Sequence, residues 1–249
     1  MSNILHNPQI LNITGNIFNT IKKEEALCNE VYFINAQNGK FIVKIAHGQI
    51  RQNELDKEYQ IISKLKNFIK QPEIYQYSIE KDYSFFVMQF IDGIKPTTFS
   101  DKILEQMALA LHNIHTTQST NENVDFDSLL LIAEQNMLEN RLDLDEFEKN
   151  GKFFNPQDVL NYLKKSKPCV KSCLVHGDYR PKNMLVNNDD LYILDWGLSF
   201  VGDPYYDLAI IKWYFTESEF NKFLHYYGIE NIDMERLTYN EWLSAFLNV

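Results

Sequence analysis

The stretch that most constrains this chain is 174–209, LVHGDYRPKNMLVNNDDLYILDWGLSFVGDPYYDLA, which sets Asp178, Asn183 and Asp195 among short apolar runs. The run 173–175 leads into His176-Gly177-Asp178. Tyr179-Arg180-Pro181 then predicts a turn, because proline fixes its own φ and disfavours helix in the residue before it. Asp178 is therefore expected on a loop. The runs 184–186 and 191–194 read as two strands joined by a polar turn at 187–190, with Asn183 just before this hairpin and Asp195 just after it. An amide oxygen and a carboxylate brought to one end of a hairpin suit a hard cation such as Mg²⁺. Phosphoryl transfer from a nucleotide calls for such a set: a carboxylate to orient or deprotonate the attacking hydroxyl, and metal ions to hold and neutralise the phosphates. One loop aspartate alone is more often a turn or cap residue. The reading rests on the composite spacing, His-Gly-Asp-x4-Asn, strand–turn–strand, Asp-Trp-Gly, then Gly-Asp-Pro-x2-Asp-Leu-Ala.

With these triplets the chain resembles the aminoglycoside phosphotransferase and choline kinase-like family, small-molecule kinases that share the protein-kinase fold. Gly177 in place of the protein kinases' arginine, and Asp203-Pro204 followed by Asp207-Leu208-Ala209, are similar to that family. The resemblance implies an α+β, two-lobed protein-kinase-like fold: an antiparallel sheet with one helix over residues 1–92, which bind nucleotide, and a larger, mainly helical part over 93–249 with catalysis and acceptor binding. It implies Asp178 as the catalytic carboxylate, Asn183 and Asp195 as the Mg²⁺ ligands, and ATP or GTP as donor. His176 and Asp207 are read as structural, holding the loop by hydrogen bonds. Arg180 has two readings, a contact to the transferred phosphate or a surface arginine.

In the amino-terminal part, strand-like runs at 13–21, 30–35 and 41–46, with a hairpin turn at Gln37-Asn38-Gly39, predict an antiparallel sheet. The loop 22–29 stands where a kinase covers the phosphates, yet it contains no glycine. Lys44 is the polar member of the apolar strand FIVKIA and must snorkel out or meet an anion. The following helix, read with Asn53 as its N-cap, has an apolar stripe at Leu55, Tyr59, Ile62, Leu65 and Ile69, and Glu58 projects inside it. A carboxylate on a buried face is costly unless paired, so Glu58 is the expected partner of Lys44, with Glu54 as the alternative. The resemblance makes this the pair that holds the α- and β-phosphates. It also makes Gln89, Phe90 and Ile91, at the end of the strand-like run YSFFVMQF, the segment whose backbone binds the base, with Met88 behind it.

Further on, Ser100 is a plausible cap for a helix with Ile103, Met107, Ala110, Leu111 and Ile114 on one face. His112 and His115 lie in it without the partners a metal site needs and are read as structural. Segment 119–150 holds nine acidic residues against two basic ones, net −7 of the chain's −10. Such a run is usually a solvated face; the functional reading is a wall that steers a polycationic acceptor. Asn155-Pro156 predicts another helix start, and a helix is expected from Asp207 to Gly228. Glu217, Glu230, Asp233 and Glu235 are candidates for acceptor contacts.

Composition bounds the partners. The net charge of −10 over 249 residues argues against nonspecific binding to nucleic acid or an anionic membrane and fits a cationic small-molecule hydroxyl substrate. No stretch has the length of a membrane span, and the first residues lack the pattern of a secretion signal. Cys28, Cys169 and Cys173 do not make a disulfide framework, and buried free thiols in a reducing cytoplasm are expected. The protein is expected as a monomer or homodimer. The resemblance implies transfer of the γ-phosphate of ATP or GTP to a hydroxyl of an aminoglycoside-like aminosugar, and two rival functions share this sequence: a metabolic kinase for choline, ethanolamine, a thio-sugar or an amino acid, and a nucleotide-binding module without turnover.

Overall fold

The alternation of Phe41, Val43 and Ile45 with Ile42, Lys44 and Ala46 decides how the first part of the molecule is layered. In the computed structural model, which describes residues 3–23, 29–117, 119–149 and 151–248, these side chains lie on opposite faces of one strand. The sheet around it is antiparallel and five-stranded, in the order β1-β2-β3-β5-β4, with β1 Ile17–Lys22, β2 Glu30–Ala36, β3 Gly39–His47, β4 Ile74–Ile79 and β5 Tyr83–Gln89. The Gln37-Asn38 turn closes the β2–β3 hairpin, with Ala36 opposite Gly39. Phe41, Val43 and Ile45 pack with Tyr32, Ile34, Phe85 and Val87 against Leu5 and Ile10. The other face carries Ala46 and Phe86, covered by Leu55 of helix α2, Gly48–Leu65.

Two expectations for this region are corrected, and one strand is added. The run 13–21 is not one strand: helix α1, Pro8–Thr14, occupies its start, and β1 begins at Ile17. Asn7 accepts from the Gln9 N–H and Pro8 fills the first turn, a helix start that the apolar run obscured. Helix α2 starts at Gly48 rather than after Asn53, so it leaves β3 with no loop between. Strand β4 was not expected at all. The loop 22–29 lies partly outside the described residues, as does Cys28.

The chain divides into two compact units, Met1–Lys95 with Met184–Gly197, and Pro96–Asn183 with Leu198–Val249. The hairpin β10 Met184–Asn187 and β11 Asp190–Ile193 thus belongs with the sheet unit. A bridge between Ile94 and Val186, and the Ile193 N–H donating to the Lys70 carbonyl at 3.0 Å, attach it there.

The second unit is built from helices α3 Asp101–Thr117, α4 Phe126–Leu138, α5 Pro156–Lys165, α6 Tyr205–Lys212, α7 Glu217–Tyr227 and α8 Met234–Leu247. It also has a small sheet in the order β12-β9-β6, with β6 Ser119–Asn123, β9 Lys171–Val175 and β12 Phe200–Gly202. The short hairpin β7 Glu148–Lys149 and β8 Lys152–Phe153 completes it. Phe126, Leu130, Phe147, Leu160, Tyr206, Tyr239, Trp242 and Phe246 form its main core. Ser100 and Asn155 stand at the starts of α3 and α5 as expected, each accepting a backbone N–H. The helix expected from Asp207 to Gly228 is two helices, because Thr216 and Glu219 form a capping box that starts α7 afresh. Gly228 ends α7 in the left-handed conformation. Cys173 is buried within β9 as expected, but Cys169, before the strand begins, is exposed. Among the described residues no helix is long and apolar enough to cross a membrane.

Candidate active site

The loop after β9 is fixed by one buried carboxylate. Asp207, at the start of α6, accepts from the His176 N–H at 2.7 Å and the Gly177 N–H at 2.9 Å, and lies 3.0 Å from His115 Nε2. His115 Nδ1 is 2.7 Å from the Tyr227 hydroxyl, so the natural tautomer carries its proton on Nε2 toward Asp207. Gly177 has φ +81°, and a Cβ there would meet the Leu198 carbonyl oxygen at 2.2 Å. Only glycine fits that position. The structural reading of His115, His176 and Asp207 thus matches their geometry. The link between α3 and this loop was not foreseen, although a buried histidine needs a polar partner.

On this loop Asp178 is 7% exposed. Its carboxylate accepts from Asn183 Nδ2 at 2.7 Å, lies 3.1 Å from Lys182 Nζ, and is touched by the Arg180 guanidinium. Asn183 also donates to the Asp178 carbonyl at 2.9 Å. With its amide nitrogen committed twice to Asp178, the Asn183 oxygen is left to face elsewhere. Arg180 is neither a solvated surface arginine nor free of Asp178. With the Asn248 amide oriented as its neighbours require, its oxygen accepts from Arg180 Nη2 at 3.1 Å and its nitrogen donates to the Gly177 carbonyl at 3.0 Å. Asn248 follows α8 and carried no signal in the sequence. Asp203 of the Gly-Asp-Pro triplet is buried and bound by Arg236 and Asn240, which ties α8 to the start of α6.

In the sheet unit, Lys44 stands opposite Phe86 on the face covered by α2. Its Nζ donates to both Glu58 oxygens, at 2.6 and 2.9 Å, and lies 3.5 Å from Asp195 Oδ1. Glu58 is 4% exposed, whereas Glu54 pairs with Arg51, so the alternative partner is set aside. Burial works against charge on Lys44, but the Glu58 and Asp195 carboxylates outweigh it and hold the ammonium above the ordinary lysine range. Burial pushes the Glu58 carboxyl upward against the pull of Lys44. Asp195 adopts φ +62°, unusual for a residue other than glycine, and its side chain is 59% exposed. Gln89 is held at the end of β5 opposite Phe41, and its N–H donates to the Glu73 carbonyl at 2.8 Å. Phe90 packs edge-on against Phe33 at 4.9 Å, and Ile91 is buried.

The donor chemistry at Asn183 and Asp195 is oxygen only. Among the described residues no group of three or more His, Cys, Asp or Glu side chains is placed to hold a metal. Amide and carboxylate oxygens of this kind suit a hard cation such as Mg²⁺.

The nine acidic residues of 119–150 divide by role. Asp125 and Asp143 cap helices; Asp127 and Glu134 pair with Lys167 and Lys164 at 2.7 and 2.9 Å, and Glu139 pairs with Arg141. Glu122, Asp145, Glu146 and Glu148 are exposed. Glu217, Glu230, Asp233 and Glu235 are exposed too, Asp233 as the N-cap of α8.

A profile of the phosphotransferase enzyme family matches residues 26–239. An aminoglycoside 3'-phosphotransferase of Escherichia coli is 24% identical over 226 residues, 86% of this chain and 80% of that protein. The structure of an aminoglycoside phosphotransferase from Streptomyces rimosus, in complex with ADP and streptomycin, superposes over 99% of both chains with a TM-score of 0.70 at 16% identity. A choline kinase from Streptococcus pneumoniae superposes with a TM-score of 0.70 at 19% identity, over 93% of this chain and 83% of that one. The fold is the protein-kinase-like one of these small-molecule kinases.

Proposed function

The chain belongs to the phosphotransferase enzyme family, and on that premise we propose that it transfers the γ-phosphate of ATP or GTP to a hydroxyl of a small aminosugar. The observation that carries the reading is the run of charges Glu58–Lys44–Asp195, at 2.6 and 3.5 Å. It sets a cation held in place by one carboxylate beside a second, exposed one. A free lysine would spend this charge in solvent; here it is oriented before any ligand arrives.

In this reading Lys44 binds the α- and β-phosphates and Glu58 keeps it there, while the backbone of Gln89, Phe90 and Ile91 takes the edge of the base. Asn183 and Asp195 are the residues that would hold Mg²⁺, which when bound supplies charge neutralisation to the phosphates. Asp178 accepts a hydrogen bond from the acceptor hydroxyl and aligns its oxygen on the γ-phosphorus. As the new P–O bond forms and the bond to the β-phosphate oxygen breaks, the proton passes to Asp178 Oδ. Electrostatic preorganisation of this kind is the main source of catalysis in such transfers. The relatives that act on aminoglycosides support an aminosugar acceptor, as does the exposed acidity of Glu122, Asp145, Glu146 and Glu148. The choline kinase likeness supports the second reading, an alcohol amine. A nucleotide-dependent kinase of this kind works in the cytoplasm, where its donor is made.

The test is ADP and GDP release by the purified protein with Mg²⁺, across a panel of aminoglycosides and simple alcohol amines, with Asp178→Asn as control. Turnover with aminoglycosides that Asp178→Asn removes supports the proposal. Turnover confined to alcohol amines moves the protein to the second reading, and nucleotide binding without transfer to any alcohol overturns both.

A further inference from the structure

Outside the residues used above, the second unit holds a cation that neither water nor a single carboxylate accounts for. Lys149 Nζ stands 3.6 Å from the ring centroid of Trp242 and 5.5 Å from that of Trp213. It lies 3.5 Å from Glu241 Oε2, while Lys212 binds the other oxygen of the same carboxylate. Glu241 is 9% exposed and Trp242 7%, yet Trp213 is 59% exposed, so the group opens to solvent on the Trp213 side. Burial lowers the Lys149 pKa despite Glu241 beside it. The arrangement of ring faces and a carboxylate around an ammonium is the one by which proteins bind alkylammonium ligands.

Lys149 reaches this group from the hairpin β7–β8, whose strands are two residues each. The hairpin does not depend on it for attachment. Phe147 stacks on Trp242 at 6.2 Å, Phe154 packs on it at 5.1 Å, and the Phe154 N–H donates to the Phe147 carbonyl at 2.9 Å. Glu241 keeps Lys212 if Lys149 withdraws. Lys149 is thus a detachable occupant on an anchored base.

We infer that Trp213, Glu241 and Trp242 form an ammonium-binding site which Lys149 fills from within the chain and which an amine ligand takes by displacing it. Its position suits an acceptor amine: Glu241 precedes Asn248 by seven residues, about 10 Å along α8, and Asn248 touches the Gly177 carbonyl beside Asp178. That the ligand is the acceptor rests on the phosphotransferase reading; the site itself does not. Filling from within makes the site self-competing, since its apparent affinity falls by the fraction of time Lys149 occupies it.

The experiment is a tryptophan-fluorescence titration with tetramethylammonium chloride against equal sodium chloride, without nucleotide or acceptor. Lys149→Ala should bind the probe about tenfold more tightly than the unaltered protein, Lys149→Arg should stay near the unaltered protein, and Lys149→Ala with Trp213→Ala should lose the gain. Lys149→Gln, which keeps most of the stem without the charge, serves if the alanine variant does not fold. A Lys149→Ala or Lys149→Gln protein that binds no more tightly than the unaltered one overturns the inference. So does a gain that survives loss of Trp213. In turnover, Lys149→Ala should lower KM for an amine-bearing acceptor while leaving KM for the nucleotide unchanged. The fluorescence gain without turnover of any acceptor would uphold the site and sink the phosphotransfer reading instead.

Discussion

Lys44 donates to both carboxylate oxygens of Glu58, at 2.6 and 2.9 Å, from a strand to a helix that follows it without a loop. Glu58 is buried and Lys44 partly so on the α2 face, and neither charge is tolerable there alone. Glu58→Ala should therefore destabilise the protein by about 3 kcal/mol, read as a shift of the urea midpoint. A loss under about 0.5 kcal/mol would show the pair to be no more than a surface contact.

The same pair sets an alkaline limit. The folded Lys44 pKa is raised, so its contribution is fully present below the unfolded value and is lost as pH rises through the folded one. Urea midpoints measured from about pH 10 to pH 12 should fall more steeply for the unaltered protein than for Lys44→Met. Parallel curves would contradict the raised pKa.

Asp178 is clasped by Asn183, Lys182 and Arg180 of its own loop. Asp178→Asn should lower kcat by about 10²–10⁴ and leave ADP binding, measured by calorimetry, unchanged. A kcat near that of the unaltered protein would remove Asp178 from catalysis.

Asp195→Ala should abolish turnover, and Asn183→Ala should raise the Mg²⁺ concentration needed for half-maximal rate. Chelating the metal from the unaltered protein should stop transfer, and returning Mg²⁺ should restore it. An active Asp195→Ala variant would end its assignment as a metal ligand.

Glu122, Asp145, Glu146 and Glu148 are exposed, whereas their acidic neighbours cap helices or pair with lysines and an arginine. Changing these four to Gln or Asn should raise KM for a polycationic acceptor about three- to tenfold at low salt. The effect should fade as salt is added. No change at low salt would make the segment a solvated face.

Gly177→Ala should destabilise the protein by about 3 kcal/mol or more, because the new Cβ has no place beside the Leu198 carbonyl and the φ of +81° is strained for alanine. Thermal unfolding with and without Asp207→Asn, which loosens the same loop, should show non-additive losses. Additive losses would place the two residues in independent roles.

How far the chain can be read without its fold differs from residue to residue. Period-two alternation puts Lys44 on one face of its strand, and period 3.6 puts Glu58 inside the stripe of α2; both periods are local, so the pair was legible. The strand–turn–strand after Asn183 was legible for the same reason. The start of α2 was not, because a helix that continues a strand without a loop has no cap signal, and its N-cap His47 makes no side-chain cap bond. Asn7-Pro8 carries the same start signal as Asn155-Pro156, but the apolar run behind it matched a strand equally well.

The sequence by itself determined what depends on neighbours along the chain: which residues alternate, where proline and glycine turn the backbone, and which composite spacing carries Asp178, Asn183 and Asp195. Tertiary structure alone decided what depends on contacts between distant segments. His115 meets Asp207 across 92 residues, Asn248 reaches the loop of Asp178 from the end of α8, and Lys149 sits over Trp242. Such pairings are set by burial, where a polar group must find whatever partner the packing brings, and no local period records which partner that is.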